Sequence, residues 1–266
     1  SDGKYIKRDI EKGIFYFKLA SEHKCLQAYF NLAMIYETDT FNKKDIKKAI
    51  YYYTLAANQN DANAQYQLGY IYANGEKDIR DINKSIYYYT LAANQNDAYA
   101  QYNLGLYYLK GIYVAQDINK AIHLFSQAAN QNNNKAQYAL GLSYIYGKFN
   151  GLDMYKGINF LIQSSFNKNV EAHFLVGYFY HEGKYIEHDT DKMIKYYKEG
   201  STFNDSFAKN NLGILYKNGY GKEIPQNIGV AMSYFEDAIK IRKCMLSMYN
   251  LSHIYIYEDT NLDRID

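Results

Sequence analysis

Apolar and polar positions along this chain repeat every 36 residues. The unit is clearest from Ala100 to Asn130, where two amphipathic stretches flank a glycine-bearing loop. In the first stretch the pattern Ala-x-x-x-Leu-Gly-x-x-Tyr recurs as Ala64/Leu68/Gly69/Tyr72, Ala100/Leu104/Gly105/Tyr108, Ala136/Leu140/Gly141/Tyr144, Ala172/Val176/Gly177/Tyr180 and Ala208/Leu212/Gly213/Tyr216. A first copy reads Ala28/Leu32/Ala33/Tyr36. In the second stretch Ile50, Tyr53, Ala56 and Ala57 are matched by Ile86, Tyr89, Ala92 and Ala93, then by Ile122, Phe125, Ala128 and Ala129. Spacings of three and four put each set on one helical stripe. The chain is therefore expected to be all-α, a solenoid in which no unit buries its apolar face alone.

The punctuation repeats as well. Asp9, Asp45, Asp81, Asp117, Asp153 and Asp189 each precede a second stretch, where an Asp side chain accepts from the free N–H groups of a helix. Three residues on come Lys12, Lys48, Lys84, Lys120, Lys156 and Lys192. A lysine there faces the positive end of the helix dipole, which costs a few tenths of a kcal/mol, so the ladder needs a reason. The favoured one is that each stem covers a neighbouring aromatic while its ammonium stays in water; the alternative is a basic edge for an acidic partner. The mid-helix glycines cost about 1 kcal/mol each relative to Ala, which implies close contact with the paired helix. Gly75, Gly111, Gly147, Gly183 and Gly219, just past the first helices, suit left-handed C-terminal caps.

One array is expected over residues 1–266, of about six hairpins starting near 28, 64, 100, 136, 172 and 208. Gly3 to Asp9 reproduces the hairpin loop Gly183 to Asp189, so residues 3–27 read as a half unit that lacks its first helix. The apolar residues Ile14, Phe15, Phe17 and Leu19 would then have no partner, and an exposed face of that kind promotes association. Near Gly221–Pro225 the register slips by two, which hands the cap role to Asn227. It slips once more before a final capping helix at about 244–257.

These ladders resemble the Sel1-like repeat, a relative of the tetratricopeptide repeat; its motif stands almost whole from Ala64 and from Ala100. The resemblance covers nearly the whole chain. It implies a right-handed superhelical α/α scaffold, non-enzymatic, that binds another protein or a peptide as an adaptor. It also implies that the first helices line the concave surface, and it admits a subunit of a quality-control or signalling assembly.

Composition narrows the alternatives. Lys and Arg number 30 against 28 Asp and Glu, a net charge of +2, which argues against the basic groove that nucleic acid requires. Tyr51-Tyr52-Tyr53 and Tyr87-Tyr88-Tyr89 could stack on bases, as in helical RNA-binding repeats, but packing of at least two in each triplet explains them without RNA. No apolar run approaches the roughly 18 residues of a membrane span. Cys25 and Cys244 stand at opposite ends of the array, too far apart for a bridge, which favours reduced thiols and a cytoplasmic setting. His181-Glu182 lacks a second histidine at the H-E-x-x-H spacing, because that place is Tyr185. No catalytic, cofactor or metal constellation is expected.

The candidate binding surface is the other face of the first helices. That stripe carries Phe30 and Met34, Tyr66 and Tyr70, Tyr102 and Leu106, Tyr138 and Leu142, and Phe174 and Tyr178. Asn74, Asn103 and Asn210 are interleaved with them. A face left to water would be polar. Aromatics with amides that can bond a peptide backbone fit a protein interface.

Overall fold

The computed structural model describes residues 9–38, 41–147 and 153–257. They form fourteen helices: α1 (Ile10–Glu22), α2 (Leu26–Glu37), α3 (Ile46–Ala57), α4 (Ala62–Asn74), α5 (Ile82–Asn94), α6 (Ala98–Lys110), α7 (Ile118–Asn130), α8 (Asn134–Ile145), α9 (Met154–Phe166), α10 (Val170–Glu182), α11 (Thr190–Thr202), α12 (Ser206–Asn218), α13 (Ile228–Arg242) and α14 (Met245–Tyr257). Among the described residues the only extended pairing is a single bridge, Tyr220 with Ile224, which absorbs the two-residue slip ahead of α13. Even-numbered helices through α12 are first helices and pack on the odd-numbered second helices that follow them. This gives six complete hairpins, with α1 and α14 as half units. Gly3 to Arg8 lie outside the described residues. The described chain divides into two compact units after Gln131.

The Asp ladder starts the second helices as expected. Asp9, Asp45, Asp81, Asp117, Asp153 and Asp189 each accept the backbone N–H of the lysine three residues on, at 2.9–3.0 Å. Asn227 does the same for Val230. Removing such a cap costs about 1 kcal/mol. A second cap ladder went unread in the sequence. Asp61, Asp97, Asn133, Asn169 and Asp205 start the first helices by accepting from the N–H three residues on. Just before them Asn60, Asn96, Asn132, Lys168 and Asn204 hold φ of 61–68°, the left-handed turn that reverses the chain between hairpins. Asparagine is among the few residues that visit that region readily.

One end of the glycine ladder differs from expectation. Gly111 and Gly183 adopt the left-handed cap, and Gly147 and Gly219 also have positive φ. Gly75 does not: its φ is −63° and ψ 165°. A side chain there would lie 2.7 Å from the Ile71 carbonyl oxygen and 2.8 Å from Ile79, so this glycine answers to space, not to backbone sign.

In the unit before residue 132 the core is built from Leu32, Tyr53, Leu68, Tyr89, Leu104 and Phe125. In the second unit it is Leu140, Leu161, Val176, Tyr197, Leu212 and Phe235. The mid-helix glycines explain how these sets meet. A methyl group on Gly69 would lie 2.6 Å from the Tyr89 ring, one on Gly105 2.7 Å from Phe125, and one on Gly177 2.7 Å from Tyr197. In four hairpins the second helix lays an aromatic ring, Tyr89, Phe125, Tyr197 or Phe235, into the slot where the first helix lacks a side chain; at Gly141 the slot is filled by Leu161.

The buried cap Asp205 yields a prediction. Burial pushes its carboxyl above the ordinary range, against the two backbone N–H bonds it accepts. Its Oδ2 has no partner. Asn133 and Asn169 do the same work without charge. Because the folded-state value is raised, the ionised group destabilises once pH passes above that value, and the penalty vanishes below the unfolded value near 3.9. Asp205→Asn is expected to leave the thermal midpoint unchanged or raise it at pH 7, with the gain disappearing toward pH 4 in parallel thermal melts.

Candidate functional site

Where first helices touch across hairpins they do so directly: α4 meets α6, α10 meets α12 and α12 meets α14. The candidate stripe lies on these helices, and its paired positions behave differently. The N-terminal member of each pair leans over the core ring of its own hairpin. Phe30 meets Tyr53 at 5.5 Å, Tyr66 meets Tyr89 at 5.9 Å, Tyr102 meets Phe125 at 5.9 Å and Phe174 meets Tyr197 at 6.5 Å between ring centroids. Tyr138 is half-buried at the corresponding place against the α9–α10 core. Burial raises the phenol pKa of Tyr66 and Tyr138. The C-terminal member is more open: Met34, Tyr70 and Tyr178 are exposed, Leu106 and Leu142 intermediate.

Two hollows gather parts of the stripe, each within one unit. The first, of about 380 Å³, brings Asn74, Asn103 and Leu106 together with Arg80, Lys110 and Tyr113. The second, of about 270 Å³, joins Tyr138 and Phe174 with Glu171, Phe207 and Arg242. The asparagines are less available than the sequence suggests. Asn74 and Asn103 each donate one amide hydrogen to the carbonyl four residues back, at 3.1 and 2.9 Å. Asn210 drops out of the surface. It is 3% exposed, and its Oδ1 accepts from Ser247 and Asn250, because α14 packs over it.

The lysine ladder is occupied internally. The ammonium groups of Lys48, Lys84, Lys120, Lys156 and Lys192 stand 4.2–5.4 Å from the ring centroids of Tyr36, Tyr72, Tyr108, Tyr144 and Tyr180. Lys48, Lys84 and Lys192 also pair with their own cap aspartates. Most of these tyrosines stack flat on the next second helix, as Tyr36 does on Tyr52 and Tyr72 on Tyr88, both at 5.9 Å. The cation–π contacts, worth about 0.5–1 kcal/mol each at an exposed site, account for the ladder without a partner. They place the charge itself over the ring, where the sequence suggested only the stem. The tyrosine triplets follow suit: Tyr52 stacks, Tyr53 is buried and Tyr51 is exposed.

A polar ladder was missed altogether. Gln65, Gln101, Gln137, His173 and Lys209 recur at 36-residue spacing and are all buried. Gln65 accepts from Gln95 at 2.7 Å, Gln101 from Gln131 at 2.9 Å and Gln137 from Asn167 at 2.9 Å. His173 lies 3.9 Å from Glu199, and Lys209 bonds Asp237 at 3.0 Å. Each pair ties the start of a first helix to the end of its second helix. His181 and His188, next to the motif set aside in the sequence, form a loop brace in which His188 bonds the His181 carbonyl and Thr190. Among the described residues no three His, Cys, Asp or Glu side chains converge on a metal position, and no helix is long and apolar enough to cross a membrane. Both cysteines are free thiols.

The geometry has close counterparts. A protective antigen of uropathogenic Escherichia coli strains, displaying an SLR fold, superposes with a TM-score of 0.81 at 24% identity over 91% of this chain. This chain spans about half of that structure, 51% of its length. A Sel1 repeat protein from Oxalobacter formigenes gives a TM-score of 0.75 at 27% identity, covering 82% of this chain and 88% of that one. An immunity protein from Pseudomonas aeruginosa shares the fold more distantly, with a TM-score of 0.51 at 15% identity over 81% of each chain. No curated protein sequence matches. The Sel1 repeat pattern matches residues 1–25, 26–61, 62–97, 98–133, 134–163, 170–201 and 206–240, so the chain belongs to the Sel1 repeat family, an all-α solenoid of helical hairpins.

Proposed function

We propose that the chain is a non-enzymatic scaffold that holds a partner protein or peptide on the stripe of its first helices turned away from the core, the face that the family resemblance makes concave. One observation carries this reading: Met34, Tyr70 and Tyr178 stay exposed on helices whose opposite face is fully used in the core. Tyrosine supplies large, rigid contact area with a hydroxyl at its end, and is enriched where protein interfaces concentrate their energy. The hollow beside Leu106 adds Arg80 and Lys110, which suits an acidic side chain of the bound segment. Family membership supports the scaffold reading, and the two free thiols support a reducing compartment.

The test compares capture by three forms of the chain. Tyr70→Ala combined with Tyr178→Ala is expected to reduce recovery of a specific partner at least tenfold while the helical circular dichroism signal is kept. Lys84→Gln combined with Lys156→Gln is expected to leave recovery unchanged. Loss of capture in the lysine variant alone would move the site to the edge formed by the second helices.

A further inference from the structure

The hollow beside Leu106 lies wholly inside the unit before residue 132 and measures about 380 Å³. Tyr89 lines it, 2% exposed, and its hydroxyl has no hydrogen-bond partner among the described residues. One repeat earlier the same ring position is Tyr53, whose hydroxyl donates to the Glu37 carboxylate at 2.7 Å. One repeat on from Glu37 stands Ala73, which also lines the hollow. The hairpin of α4 and α5 thus keeps the donor of the hairpin before it and lacks the acceptor, with open space at that place. The slot at Gly69 does not call for the hydroxyl, since Phe125 fills the same slot at Gly105 without one. Burial raises the Tyr89 phenol pKa, so the group keeps its proton to donate.

The charges around the hollow point the same way. Arg80 and Lys110 line it, and neither side chain has an ion-pair or hydrogen-bond partner among the described residues. No carboxylate lines it. This pair of cations is particular to the place: the counterparts of Arg80 and Lys110 are Lys44 and Asn74 one repeat back, and Gln116 and Tyr146 one repeat on. Asn74 and Asn103 each keep a second amide hydrogen beyond the one given to a carbonyl. We propose that the hollow is a specificity pocket for an acidic side chain of the partner segment, its carboxylate seated where Glu37 sits in the earlier hairpin, accepting from Tyr89 and neutralised by Arg80 and Lys110. This rests on the scaffold reading and adds the chemistry of what is held. Charge-assisted bonds to a carboxylate are the strong ones, and a hollow closed on one side by Tyr89 and Leu106 weakens them less than open water does.

Two experiments test the pocket. Ala73→Glu supplies the missing acceptor from the chain itself, and Ala73→Gln is its uncharged control. Ala73→Glu is expected to melt about 2–4 °C above Ala73→Gln, the size of shift that one net charged hydrogen bond gives a chain of this length. An Ala73→Glu variant that melts no higher than Ala73→Gln overturns the proposal, whatever the chain binds. The second experiment selects short peptides, blocked at both ends, from a randomised library on the whole chain. The selected peptides are expected to carry an aspartate or glutamate whose change to the amide weakens binding at least tenfold in fluorescence polarisation. Arg80→Gln combined with Lys110→Gln should weaken the acidic peptide by the same factor and leave the amide peptide within twofold. Ala73→Glu should exclude the acidic peptide. Selected peptides that tolerate the amide, yet lose binding on Tyr70→Ala, would overturn the pocket and leave the scaffold reading standing. A library that yields no binder, beside an Ala73→Glu chain that melts no higher than its control, would overturn both.

Discussion

Phe125→Ala is expected to cost about 3–5 kcal/mol in a urea unfolding experiment, the range for emptying a buried phenylalanine site. The ring is fully buried and does two jobs: it fills the core between α6 and α7, and it occupies the slot at Gly105. Gly105→Leu attacks the same contact from the other side. Its Cβ would start 2.7 Å from the Phe125 ring, and overpacking of that kind costs about 1–3 kcal/mol. Gly105→Ala also presses on the ring but needs a smaller shift, which Ala33 shows the fold can absorb. The double variant Gly105→Leu/Phe125→Ala should lose less than the sum of its parts, because the leucine enters the space the ring has left. A coupling of at least 0.5 kcal/mol is expected between groups in contact. Strict additivity would mean that ring and glycine do not share one slot.

The second large effect belongs to Lys209. Its side chain is 10% exposed and its ammonium donates to Asp237 at 3.0 Å, whereas the carboxylate is 45% exposed. Asp237→Ala leaves that ammonium buried without its partner, a loss of about 1–3 kcal/mol for a charged group. Three other hairpins use a neutral amide pair here, Gln65 with Gln95, Gln101 with Gln131 and Gln137 with Asn167. Lys209→Gln combined with Asp237→Asn should therefore recover most of what Asp237→Ala loses. The lysine hydrogen bond holds the Asp237 carboxyl below the ordinary carboxylate range. Its contribution is thus present above the unfolded value near 3.9 and is lost as pH falls through the lower, folded value. Denaturant midpoints should show the advantage of wild type over Asp237→Ala shrinking below about pH 4, and a pH-independent difference would exclude the ion pair as the cause.

The hairpins were legible in the sequence because their signals are residue types with one job. An Asp before an apolar run caps a helix wherever it stands, so Asp45 and Asp117 marked starts that the structure places at Ile46 and Ile118. The glycine slot was legible as a close contact, but not the ring that fills it, since Tyr89, Phe125, Leu161 and Tyr197 differ in kind. The buried ladder from Gln65 to Lys209 was invisible for a related reason. Its members change from amide to imidazole to ammonium while their partners change in step from Gln95 to Glu199 to Asp237, so only geometry shows them to be one position. Asn210 was misplaced although the final helix was read at about 244–257, because spacing alone does not show that Ser247 and Asn250 of that helix cover it. The candidate stripe was half legible. Helical spacing put Tyr66 and Tyr70 on one face, but one turn of helix separates a ring that closes the core from one that meets water.

Photo-crosslinking tests the scaffold reading most directly, with a photoreactive phenylalanine analogue placed singly at Tyr70, at Tyr178 and at Tyr87. All three positions are exposed, but Tyr70 and Tyr178 lie on first helices and Tyr87 on a second helix. Adducts between partner and chain are expected from Tyr70 and Tyr178 and not from Tyr87. An adduct from Tyr87 with none from Tyr70 or Tyr178 would contradict the account and place the partner on the opposite side of the hairpins.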